Sequence, residues 1–527
     1  MSHLFDSEEE LNLTKKIEGL QCTLAEKKSR KNDLIPISRL PEEVLSTIIS
    51  YSKWLPDMRY RYIRKMPQIW MCALVSKRWY RIVTSSPYMW DTVNANWTFK
   101  KIKTWFSRSK AARLRVWMDE ALKGRDSMAI LGLISTEFSR IRSLQIITSA
   151  ALMDNWRQVL DQEAPVIEAF SLHITYPQQY DYDCELNLTF PTSYFHGRPP
   201  PLLREFEFGG PHIIWTSPHL SNLTRLRIQG HYRSNRPHVP LAQVLRSLEH
   251  LPFLRYLDAT DEAFPDDDNN PQGLVVTVSR LKSLRFRGGF ERWCPLFTYL
   301  LLPFATEIDL RSTSQDPSTV DTLLDHLAVY FHHKSGSADQ QNKFDSVVMH
   351  QDEGGLRLQA ECVESTGRSP LSINLKSTTQ REEVYIKFAA IVPVSRATKL
   401  YLTGSMPNPS QWKGIERAMV SLTVLRLGGE ACGTFPHAIL RVKHLTLPFM
   451  HLLRIEIEKA PFPALIAADG LFWEGMGRSI VAVLESQVVR KPGGEHLSVV
   501  RFLACSGEVD DGFARLLEGR GIKVRIS

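Results

Sequence analysis

Histidines form the densest group of side chains that could bind a metal ion. His332 and His333 are adjacent, and His326 precedes them on the same helical pattern. A zinc site needs about four Cys, His or carboxylate ligands at short spacings. No cysteine or acidic residue completes this group in such a pattern, so we interpret it as the surface end of a helix.

Motifs for other chemistry are also missing from the sequence. The run Asp266 to Asp268 lacks the alternating ligands and the central glycine of a calcium loop. Gly475 and Gly477 follow a helical pattern rather than a strand, which does not indicate a phosphate-binding loop. Seven cysteines without a Cys-x-x-Cys pair predict neither disulfides nor zinc. The sequence therefore predicts a protein that is not an enzyme and uses no cofactor.

Length and composition are those of a large globular chain. The 527 residues are 43% hydrophobic and 23% charged, which favours several domains or one elongated repeat structure. No run of eighteen apolar residues occurs, and the first ten residues, MSHLFDSEEE, are acidic. We expect a cytoplasmic and/or nuclear protein with no membrane partner.

Positive charge is concentrated between residues 51 and 117. This stretch holds 15 Lys and Arg against Asp57 and Asp91, a net charge of +13. Aromatic residues are interleaved with it, among them Trp54, Tyr60, Tyr62, Trp70, Trp79, Tyr80, Trp90, Trp97 and Trp105. Phosphate contacts and base stacking use these residue types. No nucleic-acid-binding fold signature accompanies them, so we do not expect nucleic acid as the partner; a solvated basic face is another interpretation of the charge.

Three short helices are predicted within residues 40–90. Pro41 suits a helix start, and Val44, Leu45 and Ile48 fall on one helical face. Apolar residues repeat again from Met71 to Val83, with Ser76 as a potential N-cap. Helices this short cannot bury all their apolar faces among themselves. The rest of the chain or a partner must cover the remainder.

The order of residues in this stretch resembles the F-box, and in particular the fungal type. The matching segments are Leu40-Pro41, Val44-Leu45, Ile48-Ile49, Leu74-Val75-Ser76-Lys77-Arg78-Trp79, Ser86-Pro87 and Trp90. A variable insertion, here residues 51–68, separates the first helix from the Lys-Arg-Trp segment in that type. Ser76 stands where most F-boxes have Cys.

The resemblance implies a partner and an interface. F-boxes bind adaptors of the Skp family, which are acidic and link them to a cullin-RING ubiquitin ligase; opposite charge would steer that association. The positions of the motif that would carry adaptor binding are Leu40, Pro41, Val44, Leu45, Ile48, Leu74, Val75 and Trp79.

One helix is predicted before the F-box, over residues 7–33. Leu13, Ile17, Leu20 and Leu24 are spaced as in a coiled-coil seam, and Lys27 and Lys31 occupy the next two seam positions. A seam this short predicts weak dimerisation, packing on the F-box, or a partly free helix.

The remainder of the chain predicts a leucine-rich-repeat-like region. Strand-like cores of the form Leu-x-x-Leu-x-Leu recur from Leu114 to Leu503, often followed by glycine. Their spacing is irregular, and two separate α/β domains remain an alternative. The predicted fold is an α+β or α/β repeat protein: an N-terminal helix in 1–35, a three-helix F-box in 36–98, and an irregular solenoid with a parallel sheet in 99–527.

The predicted function joins these parts. We expect the substrate-recognition subunit of a Skp-cullin-F-box ubiquitin ligase, with an unknown protein substrate on the repeat region. Candidate substrate-binding residues are Trp215, Tyr232, Arg233, Phe290, Arg292 and Trp293. The alternative function is a basic nucleic-acid- or chromatin-associated scaffold that acts without a ligase.

Overall fold

The computed structural model describes most of the chain. The described residues are 2–51, 68–119, 127–175, 191–210, 215–230, 240–264, 271, 273–303, 306–312, 317–334, 344–352, 355–361, 371–375, 383–404, 409–428, 452–458, 499–503, 515, 518–519 and 523–526. The chain divides into two compact units: unit 1 is residues 1–177 with 193–203, and unit 2 is residues 178–192 with 204–527.

Unit 1 begins with helices and continues as a parallel sheet with helices between its strands. Its elements are α1 (Ser2–Asp33), a 3-10 turn (Pro36–Arg39), α2 (Glu42–Tyr51), α3 (Gln68–Ala73), α4 (Lys77–Ser85), a second 3-10 turn (Pro87–Trp90), β1 (Thr92–Asn94), α5 (Phe99–Ser109), β2 (Leu114–Met118), α6 (Ser127–Thr136), β3 (Ile141–Ser149), α7 (Met153–Leu160) and β4 (Ala169–Thr175). Strands β1 to β4 pair in parallel in chain order. Val116, Leu144 and Phe170 stand side by side in the buried face.

Helix α1 confirms the predicted N-terminal helix and extends it to residue 2. Every described side chain from residue 9 to residue 28 is exposed. Leu13, Ile17, Leu20 and Leu24 are among the exposed apolar residues. Among the described residues, this seam therefore does not pack on the predicted F-box segment.

Unit 2 contains both strands and helices, which alternate along parts of the chain. Its elements are β5 (Glu205–Gly209), β6 (Arg225–Gln229), α8 (Leu241–Glu249), β7 (Tyr256–Thr260), β8 (Val276–Thr277), β9 (Ser283–Gly288), α9 (Phe290–Trp293), α10 (Leu296–Tyr299), β10 (Leu300–Leu301), β11 (Glu307–Ser312), α11 (Pro317–Lys334), β12 (Ser346–Asp352), β13 (Gly355–Glu361), β14 (Leu371–Leu375), α12 (Glu383–Ile391), β15 (Lys399–Thr403), α13 (Pro409–Ala418), β16 (Val424–Gly428), β17 (Arg454–Glu458), β18 (Val499–Leu503) and β19 (Lys523–Ile526).

The Leu-x-x-Leu-x-Leu pattern explains the core of unit 2. Leu226, Leu257 and Leu284 are register partners on β6, β7 and β9 and are all buried. The preceding leucine of each pattern, Leu223, Leu254 or Leu281, is buried as well. Alternation along a strand sends these side chains to one face, so equal spacing in sequence becomes a continuous apolar row.

Most strand pairs of unit 2 are parallel, with one interruption. Strand β13 pairs antiparallel with both β12 and β14, and β12 then pairs in parallel with β15. Strands β15 to β19 are again parallel in chain order. The fold is thus a mixed α+β structure with a helical N-terminal region and a mostly parallel sheet. An uninterrupted parallel solenoid would have no such hairpin; a repeat architecture stays a prediction.

Glycines at the ends of strands, Gly288 as the last residue of β9 and Gly404 directly after β15, allow close packing at two places. Gly288 has φ +115°, and a Cβ there would lie 2.0 Å from Oδ1 of Asp261. Gly404 has φ +92°, and a Cβ there would lie 1.6 Å from the carbonyl oxygen of Gln351. Because side chains are excluded sterically at both positions, a glycine at the strand end has a packing role here.

Asp261 is a buried acid at the end of β7. Its Oδ2 accepts a 2.7 Å hydrogen bond from the N–H of Gly289. Burial, followed by the neighbouring Glu262 carboxylate, raises the pKa of Asp261 to about 7, although the Gly289 bond and Arg292 oppose the shift. The folded protein therefore holds this carboxyl protonated at pH values where the unfolded chain ionises it.

Asp261→Asn is expected to change how stability depends on pH. The raised pKa of Asp261 makes the wild type lose stability as pH rises from about 4 to about 7, after which its contribution is constant. The variant lacks this loss. Its urea midpoint should therefore rise relative to wild type between pH 5 and pH 8. If the difference in urea midpoint between the variant and the wild type were the same at every pH in this range, the raised pKa of Asp261 would be contradicted.

Candidate adaptor-binding site

Helix α2 has a buried side and an exposed side. The carbonyl of Pro41 accepts a 3.0 Å bond from the N–H of Leu45, so the helix begins directly after the proline. Leu45 is 0% exposed and Ile49 is also buried. Val44 and Ile48 lie on the other side and are exposed. The helix thus uses one apolar face for its own domain and leaves another uncovered.

Helix α4 is capped as its sequence predicts. The hydroxyl of Ser76 accepts a 3.2 Å bond from the N–H of Trp79, which satisfies one amide of the first turn. Ile82 and Val83 are buried, and α4 contacts both α2 and α3. Trp79 itself is half-buried. The three predicted helices therefore pack as one helical group.

Arg78 connects α4 to the segment that leads into α2. Its guanidinium donates to the carbonyl of Ser38 and, at 2.6 Å, to the carbonyl of Leu40. Its Nε lies 3.9 Å from Oε1 of Glu42. Two carbonyls bound by one planar fork fix the direction in which the chain enters α2. The sequence motif contains Arg78, but its acceptors are about forty positions away and have no local signal.

Tryptophans attach this helical group to α5. Trp90 is fully buried and donates a 2.9 Å hydrogen bond from Nε1 to the carbonyl of Val83. Its ring packs edge-on against Trp70, with centroids 5.4 Å apart, and Trp105, at 4.6 Å. The guanidinium of Arg108 lies 4.5 Å from the Trp90 centroid. The basic side chain of Arg108 thus takes part in the packing of unit 1.

A set of aliphatic and methionine side chains on this helical group and on the segment just before it stays exposed; we call this set the apolar face. It consists of Leu34, Ile35, Ile37, Val44, Ile48, Met71, Leu74 and Val75. Leu74 is the most exposed, at 73%. Asn32 donates to the carbonyl of Val75 at 3.5 Å, which brings the start of this set next to its end. Exposed apolar residues grouped on one small domain are typical of a protein-binding surface.

Comparison with known families agrees with this geometry. The family model described as F-box-like matches residues 37–96. The chain contains an F-box-like domain. No curated protein is similar enough to the chain to count as a match. F-box domains typically bind Skp-family adaptors, and F-box proteins are generally non-catalytic, so the apolar face lies on a domain type whose partners are proteins.

The eight positions predicted to bind the adaptor differ in exposure. Val44, Ile48, Leu74 and Val75 belong to the apolar face, and Pro41 is also exposed. Leu40 and Trp79 are half-buried. Leu45 is enclosed between the helices, so we correct its role from adaptor contact to core residue. Leu34, Ile35, Ile37 and Met71 were not predicted, although three of them lie just before the motif.

The substrate-binding candidates need a larger correction. Trp215, Phe290 and Trp293 are core residues, because aromatic neighbours such as Phe264, Phe286 and Phe297 enclose them. Their large side chains fill the space beside the strands instead of facing solvent. Arg292 is half-buried. Tyr232 and Arg233 lie outside the described residues.

Groups considered for other chemistry have structural partners or are not described. Nδ1 of His326 lies 2.9 Å from the hydroxyl of Thr298, and burial lowers the pKa of this histidine. In the described ranges, no three His, Cys, Asp or Glu residues are grouped as metal ligands. No helix of the described part has both the length and the hydropathy to cross a membrane. Asp266 to Asp268 and Gly475 to Gly477 lie outside these ranges.

Loss of the Arg78 contacts is expected to destabilise unit 1. Arg78→Ala leaves two carbonyls without their charged donor, and hydrogen bonds to charged groups contribute about 1.5–3 kcal/mol. Arg78→Lys should recover only part of the lost stability, because a lysine ammonium cannot reproduce the forked geometry of the guanidinium. Hydrogen exchange of residues 36–51 should accelerate. Arg81→Ala, at an exposed position of the same helix, is the control and should change stability by less than about 0.5 kcal/mol.

Proposed function

We propose that the protein is the substrate-recognition subunit of a Skp-cullin-F-box ubiquitin ligase. The apolar face carries this proposal, because eight aliphatic or methionine side chains stay exposed on the F-box-like domain and on the segment just before it, while Leu45, Ile82 and Val83 are packed in its core. An adaptor of the Skp family would cover it. The protein itself would perform no covalent chemistry; it would raise the local concentration of substrate at the ligase, in the cytoplasm and/or the nucleus.

Capture of a purified Skp-family adaptor by the full chain tests this function. Wild-type protein should retain the adaptor in a complex of defined stoichiometry. Basic residues around the domain should accelerate association with an acidic adaptor, so the association rate should fall as salt is added. Failure to form any complex at micromolar concentrations would overturn the proposal.

The charged side of the unit 2 sheet, whose side chains are half-buried or, for Asp309, buried, is the surface we propose for a protein substrate. Its side chains alternate in charge across the strands: Arg227, Asp258, Arg285 and Asp309 are register partners. Asp258 contacts Arg227 at 3.2 Å and Arg287 at 2.7 Å. Arginines that share a carboxylate keep further N–H donors for a ligand. Affinity capture with the adaptor-bound protein, followed by identification of what co-purifies, would name the substrate.

The alternative of a nucleic-acid scaffold has less support. Trp90 and Trp105 are buried, so their rings cannot stack on bases. Lys101 lies 3.9 Å from the centroid of Trp97, and Arg108 lies over Trp90. These cationic side chains and aromatic rings of the basic segment therefore contact one another within unit 1. Binding of nucleic acid with a steep dependence on salt would favour this alternative instead.

A further inference from the structure

Helix α1 carries an apolar seam that the described chain does not cover. Leu13, Ile17, Leu20 and Leu24 are between 53% and 65% exposed. Spacings of four, three and four place them at the d, a, d and a positions of two heptads. The next seam position towards the N-terminus is Glu10, and the next towards the C-terminus is Lys27. The seam is thus apolar in the middle, acidic at one end and basic at the other.

The seam is symmetric about a point midway between Glu18 and Gly19. Ile17 and Leu20 are equally far from that point, and so are Leu13 and Leu24. Glu10 and Lys27 form the next equidistant pair. In an antiparallel two-stranded coiled coil, an a position of one helix faces a d position of the other. A second copy of α1 turned end to end would therefore match every layer.

Charge distinguishes antiparallel from parallel pairing. The antiparallel arrangement sets Glu10 against Lys27 of the second copy, and the flanking Glu9 against its Arg30. A parallel arrangement in register would set Glu10 against Glu10 and Lys27 against Lys27. Opposite charges stabilise a coiled-coil pairing and like charges oppose it. Both the apolar layers and the charged layers thus fit a second copy of α1 that runs antiparallel to the first.

We propose that α1 is an interface for a second copy of this chain, formed as an antiparallel coiled coil about the Glu18–Gly19 midpoint. Each F-box-like domain follows residue 33 of its own α1 helix. An antiparallel pair would therefore place the two domains at opposite ends of the coiled coil. At 1.5 Å per residue, the two helix ends would lie roughly 45 Å apart. Each copy would keep its own apolar face, so the inference does not depend on the proposed ligase function.

Self-association of the full chain tests the interface. Sedimentation of wild-type protein over a wide concentration range should show a monomer–dimer equilibrium. Leu20→Glu should weaken dimerisation at least about tenfold, because it puts charge in a central layer. Leu11→Glu is the matched control: Leu11 is 54% exposed but lies off the seam, so dimerisation should not change. A monomer at every concentration, or equal effects of the two variants, would overturn the proposal.

Cysteine cross-linking tests the orientation. Exposed Cys22 is first replaced by Ser, and Glu10→Cys and Lys27→Cys are then made separately in that background. Mixing the two variants under mild oxidation should give a disulfide between positions 10 and 27. Within one helix these positions are about 25 Å apart, so the bond must join two chains. Disulfides that form mainly within each unmixed variant would indicate a parallel pair and contradict the proposal.

A charge exchange gives an independent check of the same layers. Glu10→Lys alone and Lys27→Glu alone should each weaken dimerisation, since each sets like charges in facing positions. The double variant should restore it to within about threefold of wild type. Absence of rescue, with both single variants impaired, would exclude these residues as facing partners.

Discussion

Leu74→Glu is expected to abolish capture of a Skp-family adaptor while the chain stays folded. The side chain is 73% exposed, so the substitution removes little packing within the domain. In the proposed contact with the adaptor, however, it would bury an unpaired carboxylate against an acidic partner. Affinity should fall at least about 100-fold, measured by calorimetry or surface plasmon resonance.

Leu11→Glu and Val420→Glu are the controls for this loss. Both residues are exposed apolar side chains outside the apolar face, so each variant adds the same charge at a comparable site. Adaptor affinity should stay within about twofold of wild type in both. Circular dichroism should show unchanged helix content in all three variants. Full binding by Leu74→Glu would place the adaptor on a different surface.

Trp90→Ala is expected to have the largest effect on stability. The side chain is fully buried, packs against two other tryptophans and donates a hydrogen bond to the carbonyl of Val83. Large-to-small changes of buried Trp cost about 3–5 kcal/mol. The unfolding midpoint of unit 1 should fall accordingly. Urea titration monitored by intrinsic fluorescence, or hydrogen exchange, would measure this fall.

Tyr88→Ala is the matched control for Trp90→Ala. Tyr88 lies two residues away and is 70% exposed, so its loss should change stability by less than about 1 kcal/mol. Trp90→Phe should give an intermediate effect, because it keeps a ring but loses the Nε1 donor. A stability loss confined to unit 2, or equal losses for Tyr88→Ala and Trp90→Ala, would contradict the role given to the tryptophan group.

The difference between Val44 and Leu45 shows where prediction from sequence stops. Both are apolar and adjacent on one short helix, and both match the family motif. The structure buries Leu45 and exposes Val44, because α3 and α4 cover only one side of α2. Helical periodicity identifies an apolar stripe, but its width exceeds what two short neighbours can cover.

The aromatic candidates of unit 2 fail for a related reason. Trp215, Phe290 and Trp293 were predicted at a surface, yet aromatic neighbours from other segments enclose them. Large aromatic side chains are used in cores and in interfaces alike. Sequence position near a strand end does not distinguish the two uses: the ring beside Trp215 is Phe264, from a distant part of the chain, and the rings around Trp293 come from neighbouring elements whose packing the sequence does not show.

Local spacing determined much of this protein by itself. The Ser76 cap, the buried Leu-x-x-Leu-x-Leu positions, strand β2 and the symmetric seam of α1 depend on residues a few positions apart, whose geometry the backbone period sets. Only the tertiary structure decided the acceptors of Arg78, the antiparallel strand β13 and which apolar residues remain exposed. Those features depend on contacts between segments that no local pattern encodes.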